Sequence, residues 1–400
     1  MNMSLTVNLR QAGYAAGKYN IKAKGFFLSV LKWGNEKKAF SDWSPIGYIP
    51  IDPAGNGGFL FPGMRAIPIE ATHIWAHCVS HDFSSHADIS VPIPPKYLPH
   101  FPEKEDMSKT LHLSVLTDFH LSVKTGAVRR ALSSAESEIL LLIGDLTNDG
   151  LSEQFEQFQN IIDQTIPEKS IFCIPGNHDV LHPAKTEDGK DGISNYLTFR
   201  EKILDKANQK GYLISKDKES LAYSVQLGFI DLIGLQCVIS KRRFLFPKGR
   251  QIQWLETHLA EQKDAEWHII MCHAPLLSHN PHRNDSSAYL DRDEQLQNLL
   301  DRTGNIIFLS GHTHISPNLL SDNGAQNDKT GNIYLDCGSV ADTHMEGLNS
   351  LSASDWKDGC ITELVLSENL VEICMKSIDT GKKFPRGYYR FYKKNDTCSP

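Results

Sequence analysis

Five short apolar runs divide the middle of the chain, at 111–117, 139–143, 171–174, 268–272 and 306–309. Runs of this length between helical patterns read as strands buried on both faces. Helical spacing of apolar positions occupies 126–138, 152–165, 193–208, 250–262 and 291–302. Further strands are expected at 221–226 and 229–237, at 334–339, and at 361–366 and 370–375 around the turn Ser367-Glu368-Asn369. Strand and helix alternate, so this region belongs to the α/β class. There is no internal repeat and no low-complexity segment.

The first hundred residues have another texture. Turn residues are dense at Gly34-Asn35, Ser44-Pro45, Asp52 through Gly58 and Phe61-Pro62-Gly63, and short β-rich pieces lie between them at 47–51, 58–61 and 72–79. Strands with turns at such spacing suggest a small all-β sandwich. The piece 88–94 reads as its last, edge strand, because Pro92 and Pro94 are tolerated there. Pro94, Pro95, Pro99 and Pro102 then mark a linker, which divides the chain into an N-terminal β-rich domain at 1–105 and a second domain at 106–400. His73, His77 and His81 have helical spacing, but in this setting they read as strand and loop residues.

Each buried run of the second domain ends in polar groups. They are Asp118-Phe119-His120, Gly144-Asp145-Leu146-Thr147-Asn148-Asp149-Gly150, Gly176-Asn177-His178-Asp179, His273 and Gly311-His312-Thr313-His314. In open α/β sheets, ligands bind beyond the carboxyl ends of the strands. Two aspartates, an asparagine and four histidines delivered to one edge form the ligand set of a two-metal hydrolytic site. A pair of ions about 3.5–4 Å apart needs a shared ligand, and a carboxylate has two oxygens to share. Mixed nitrogen and oxygen donors suit Mn, Fe, Co or Zn. No cysteine stands at these positions, so a structural thiolate zinc site is excluded. Taken singly the residues say little: Gly176-Asn177 is an ordinary turn signal, and Asp118 or Asp145 would serve as helix N-caps. Only the ordered set specifies chemistry.

That order resembles the calcineurin-like metallophosphoesterases over roughly residues 110–345, with every ligand position of the pattern present. The resemblance implies a four-layer αββα sandwich for the second domain. It also implies that Asp118, His120 and His314 hold one metal, that Asn177, His273 and His312 hold the other, and that Asp145 bridges them. The metals would be two ions drawn from manganese, iron and zinc. A hydroxide between them would be the nucleophile, with His178 near the leaving group as proton donor and Asp179 beside it to orient the imidazole or raise its pKa. Gly144, Gly176 and Gly311 would let the chain approach the metals closely. Gly144 through Leu151 followed by Gln154-Phe155-Glu156-Gln157-Phe158, and Gln253-Trp254-Leu255, look like the branch containing bacterial cyclic-nucleotide phosphodiesterases. The N-terminal sandwich is similar to β domains appended to some phosphatases of this superfamily.

The activity so implied is hydrolysis of a small phosphodiester such as a cyclic nucleotide. Phosphomonoesterase or nucleotide pyrophosphatase activity uses the same cluster, and a nuclease or a non-catalytic interaction module shares the fold. A nuclease needs a basic groove, whereas 48 acidic against 41 basic residues give a net charge of −7, so nucleic acid is disfavoured as a partner. A non-catalytic module would be expected to have lost ligands. His279, His282 and Arg283, and likewise His182 and Asn195, read equally as phosphate contacts or as solvated loop residues. The basic stretch from Lys382 to Lys394 reads as a last strand or tail. The eight cysteines form no C-x-x-C pair, and Cys173, Cys237 and Cys272 sit in apolar strands as small hydrophobes. Residues 1–10 lack the apolar stretch of a signal peptide, and no run of about 18 apolar residues would span a bilayer. A cytoplasmic protein with reduced thiols and no membrane partner is expected, and its oligomeric state is not readable from the chain.

Overall fold

The computed structural model describes residues 3–41, 45–61, 66–98, 110–121, 125–180, 191–217, 219–236, 238–240, 243–245, 250–279, 290, 293–314, 325–327, 330–341 and 359–393. The boundary near residue 105, Ser44, Pro62, Gly63, Cys237, Lys394 and Cys398 lie outside them. The chain divides into two compact units. One contains Met1–Met107 with the returning segment Lys382–Arg390, and the other is built mainly from Ser108–Leu319 and Gly324–Gly381.

Alternation of period two builds the first unit. Its strands are β1 (Ser4–Leu9), β2 (Gly17–Lys22), β3 (Leu28–Gly34), β4 (Gly47–Pro50), β5 (Asn56–Phe61), β6 (His73–Val79) and β7 (His86–Pro92). They form two sheets, ordered β1-β2-β5 and β4-β3-β6-β7. Every second residue of β2, β3 and β6 is buried, and Tyr19, Trp33, Ile49, Phe61 and Ile74 meet in one core shared by both sheets. This is the all-β sandwich read from the turns. β7 lies at a sheet edge, where Pro92 breaks no central ladder. His73 and His77 are strand residues, and His77 Nδ1 pairs across the strands with Asp88 Oδ1 at 2.6 Å.

The second unit begins with β8 (Leu111–Leu116), α1 (Thr125–Ser134), β9 (Ile139–Ile143), α2 (Ser152–Thr165), β10 (Ser170–Ile174), α3 (Asn177–Val180) and α4 (Gly192–Gln209). Then come β11 (Ile214–Lys216), β12 (Tyr223–Leu227), β13 (Ile230–Gly234), β14 (Val238–Ser240), β15 (Arg243–Leu245), α5 (Arg250–Glu261) and β16 (Trp267–Met271). The last elements are α6 (Glu294–Thr303), β17 (Ile306–Ser310), β18 (Ala325–Asn327), β19 (Ile333–Asp336), β20 (Cys360–Leu366), β21 (Leu370–Ser377) and β22 (Lys383–Tyr392). Most of β22 belongs to the first unit, where Tyr14 Oη donates to the Arg390 carbonyl.

Two sheets carry this unit. One runs β10-β9-β8-β20-β21, with β8, β9 and β10 parallel; the other runs β11-β12-β13-β16-β17-β19-β18, with β13, β16, β17 and β19 parallel. β9, β10, β16 and β17 are buried at every position, as expected of strands covered on both faces. On the outer face of the first sheet, Leu140, Leu142, Ile171 and Cys173 pack against Val128, Phe155, Phe158 and Phe199 from α1, α2 and α4. On the outer face of the second, Ile270, Ile306 and Phe308 pack against Leu255, Leu259, Leu296 and Leu300 from α5 and α6. The inner faces are joined by hydrogen bonds from Tyr223 to the Cys173 carbonyl and from Trp267 to the Ser367 carbonyl. Helix, sheet, sheet and helix form the four layers. Among the described residues, no helix is long and apolar enough to cross a membrane.

Candidate metal centre

Parallel pairing puts the carboxyl ends of β8, β9 and β10 at one edge of their sheet, and those of β16 and β17 at one edge of the other. The five polar motifs follow those five ends. Phe119 fixes the first: its ring turns into the core and meets Phe158 of α2 edge-on at 5.0 Å, leaving Asp118 and His120 on its two sides. The backbone turns abruptly after β8, β9 and β17. Asp118, His120, Asp145, His312 and His314 all have φ between 46° and 67°, the left-handed region. Such a conformation costs a side-chain-bearing residue roughly 1–3 kcal/mol and gathers where a site demands it.

The chains so turned bring their donor atoms together. His314 Nε2 lies 3.2 Å from Asp118 Oδ1 and 3.0 Å from His120 Nε2. Asp145 Oδ2 lies 3.7 Å from His120 Nε2 and 3.3 Å from His273 Nε2. Ligand atoms within 4.8 Å of one another group as Asp118 with His120 and His314, as Asp145 with His273 and His312, and as His120 with Asp145 and His178. The carboxylates and His273 are buried, whereas His120, Asn177, His178, His312 and His314 are half-buried. The floor is therefore anionic and the rim is imidazole. All nine residues read from the sequence as ligands or catalytic groups lie just beyond these five strand ends.

The loops are wired to one another through the backbone. His312 N donates to Asp118, His178 N donates to Asp145 Oδ1 at 2.8 Å, and His120 N donates to the Asp145 carbonyl at 3.0 Å. Gly144 (φ 89°) and Gly176 pack so tightly that a Cβ on Gly144 would lie 2.6 Å from Gly176 N and from His273 Nδ1. Asp179 departs from its expected part. Its carboxylate accepts from Leu146 N, Thr147 N, Thr147 Oγ1 and Gly176 N at 2.9–3.1 Å, so it ties the second motif to the third. The His178 imidazole is oriented instead by the Asn148 carbonyl, 2.8 Å from Nδ1.

The family model for calcineurin-like phosphoesterases matches residues 111–316, which span all five motifs. The chain belongs to this family. A 3′,5′-cyclic-nucleotide phosphodiesterase of Nostoc sp. is 23% identical over 231 residues, 52% of this chain and 74% of that protein. Among solved structures, GAP50, the anchor in the inner membrane complex of Plasmodium, is 12% identical with a TM-score of 0.46, over 72% of this chain and 90% of its own. PhoD is 10% identical with a TM-score of 0.43, over 99% and 92%.

Electrostatics and orphaned donors of the phosphoesterase both fit divalent cations. Burial pushes the Asp118 and Asp145 carboxyls up, yet neighbouring imidazoles, His314 for the first and His273 for the second, outweigh it and hold both below the usual carboxylate range. Burial likewise opposes charge on His273, but Asp145 and Asp118 raise it to about 10. A proton there offsets part of the charge of the two carboxylates, as a cation would. Burial drives His120 down to about 4 against the pull of Asp145, which keeps its ring neutral and its lone pair available. The buried Asn177 Oδ1 finds no hydrogen-bond partner among the described residues, and an amide oxygen is a metal donor. His273 Nδ1 donates to the Ile143 carbonyl at 2.6 Å, so its Nε2 turns toward Asp145.

Other residues hold the phosphoesterase's loops without having signalled themselves in the chain. Thr117 Oγ1 lies 2.8 Å from Asp118 Oδ2, and Thr313, between two histidines, hydrogen-bonds Asp336 at the end of β19. A lone threonine beside a motif has no signal of its own; position across the sheet reveals it. Asn195 is buried in α4 and donates to the Gly150 carbonyl at 3.0 Å. His279 stacks on Tyr334 with ring centroids 3.5 Å apart. His182, His282 and Arg283 lie outside the described residues.

Proposed function

We propose that this phosphoesterase is a two-metal hydrolase of small phosphodiesters, with cyclic nucleotides as the leading substrate class. One observation carries the two-metal reading: Asp145 belongs to both the His120 group and the His273 group, with Oδ2 within 3.7 Å of each imidazole. Asp118, His120 and His314 would hold one ion, Asn177, His273 and His312 the other, and Asp145 both. Manganese, iron or zinc suits these donors. Such ions, when bound, acidify water and polarise phosphoryl oxygens. His178 would supply the remaining step. As a water oxygen bonds to phosphorus and gives up its proton to solvent, the bond from phosphorus to the leaving oxygen would break; the electron pair stays on that oxygen and takes the Nε2 proton of the His178 imidazolium, whose Nδ1–H stays on the Asn148 carbonyl.

The diester preference is supported by the Nostoc relative, a 3′,5′-cyclic-nucleotide phosphodiesterase, and by the Gln154 to Phe158 and Gln253 to Leu255 resemblances. The N-terminal sandwich would be a separate domain ending near residue 105. The deciding test is a screen of manganese-, iron- and zinc-loaded protein against cyclic nucleotides, nucleoside monophosphates, dinucleotides and an aryl phosphodiester. Turnover fastest on the cyclic compounds is expected. Turnover confined to the monophosphates would replace the diesterase reading with a monoesterase.

A further inference from the structure

We propose that Gln154 is a positioning residue for His178, acting through the peptide that joins Asn148 to Asp149. This rests on the reading of His178 as the proton donor. The carbonyl of that peptide faces His178 Nδ1 at 2.8 Å, and its N–H, carried by Asp149, donates to Gln154 Oε1 at 3.0 Å. A peptide is planar, so a group that fixes its N–H also fixes the direction of its carbonyl. A carbonyl oxygen only accepts. The proton on the near side of the ring is therefore held at Nδ1, and Nε2 is turned into the group with His120 and Asp145.

Gln154 is equipped for this task. It lies in the first turn of α2, 8% exposed, and engages Asp149 with both ends of its amide: Nε2 donates to Asp149 Oδ2 at 2.9 Å. The other oxygen of Asp149 accepts from Asn148 Nδ2 at 3.0 Å, and Asn148 N donates to the Leu121 carbonyl at 3.0 Å. The amide of Asn148, its following peptide and the Asp149 carboxylate thus form one frame, anchored on a helix whose apolar face is set in the core by Phe155 and Phe158. Buried polar groups locked on both sides transmit position, because neither end rotates without losing a bond.

The frame makes a specific double exchange testable. Asp149→Asn alone sets an amide N–H against the N–H of either Gln154 or Asn148, and Gln154→Glu alone sets two carboxylates together. In the double variant, donor and acceptor change places and every bond of the frame is restored. Each single variant, and Gln154→Leu, should lose about 10²-fold in kcat on an alkyl phosphodiester such as a cyclic nucleotide, the scale of a misplaced catalytic group. KM and metal content should hold, the loss on a nitrophenyl diester should be far smaller, and the double variant should recover most of the rate. Equal losses on both esters, departure of the metals, or no recovery in the double variant would make the frame merely structural and overturn the proposal. Nitrogen NMR of histidine-labelled, zinc-loaded protein decides the matter independently of turnover, with His178 assigned by its disappearance in His178→Gln. The neutral ring should carry its proton on Nδ1, and Gln154→Leu should mix the tautomers; an unchanged tautomer sinks the clamp. A wild-type enzyme inert toward all phosphoesters would instead sink the hydrolase reading.

Discussion

His273 donates its Nδ1–H to the carbonyl of Ile143 at 2.6 Å, so the end of β16 is tied to the end of β9 in the facing sheet. One bond does two jobs. It satisfies the last carbonyl of a fully buried strand, and it turns the other ring nitrogen toward Asp145. The candidate metal centre therefore shares a contact with the packing of the two layers at that edge.

On the two-metal proposal, Asp145→Asn should abolish hydrolysis and reduce the content of both metals, because it removes the carboxylate charge common to the two groups. Elemental analysis with a parallel rate measurement checks it. Full activity at normal metal content would refute the shared role.

Replacing His178 by alanine should leave metal content intact while turnover falls roughly 10²–10⁴-fold, the range for loss of a proton donor. The deficit should shrink on nitrophenyl esters, whose leaving group needs little protonation. Loss of the metals in this variant would contradict the separation of roles.

Gly176→Ala tests the packing of the third motif on the second. A Cβ there would lie 2.7 Å from the carboxyl carbon of Asp145 and closer still to its backbone nitrogen. The expected cost is about 1–3 kcal/mol of stability with weakened metal binding. Melting and metal analysis read both, and an unperturbed variant would show that the loop yields more than its packing suggests.

Asp231 gives a pH-dependent prediction away from the metal centre. It sits between His258 Nε2 at 3.0 Å and His268 Nδ1 at 2.9 Å, near the amino ends of β13 and β16. Burial raises its carboxyl, but hydrogen bonds from the two imidazoles outweigh that and hold it below the usual range. With the folded pKa below the unfolded value of about 3.9, its contribution is complete above that value and fades as pH falls through the folded one. Asp231→Asn should cost about 1.5–3 kcal/mol near neutrality, the scale of hydrogen bonds to a charged group. The gap in melting temperature should narrow toward pH 3, and a constant gap would refute the linkage.

Much of this was legible in the chain, for reasons that particular residues make plain. Ile139 through Ile143 and Ile306 through Leu309 are apolar at every position, which only a strand covered on both faces tolerates, and polar residues directly after them had to lie at a sheet edge. The Asp179 carboxylate was not legible. Adjacent to His178 in sequence, it faces away from the imidazole, because a helical turn begins at Asn177 and directs successive side chains differently. Gln154 carried a family likeness with no function attached, since its partner is a peptide N–H that any residue possesses.

The chain by itself determined which chemical groups this phosphoesterase has and the edge they must reach, because side-chain chemistry and apolar period are local properties. Only the tertiary structure decided which atoms meet: that Asn148 rather than Asp179 holds His178, that Ile143 aims His273, that Asp118, His120, Asp145, His312 and His314 adopt left-handed backbone, and that Lys382–Arg390 returns to the first unit. Those outcomes depend on carbonyls and amides common to every residue. Their pairing is set by which strands lie side by side, and no single stretch of sequence encodes that.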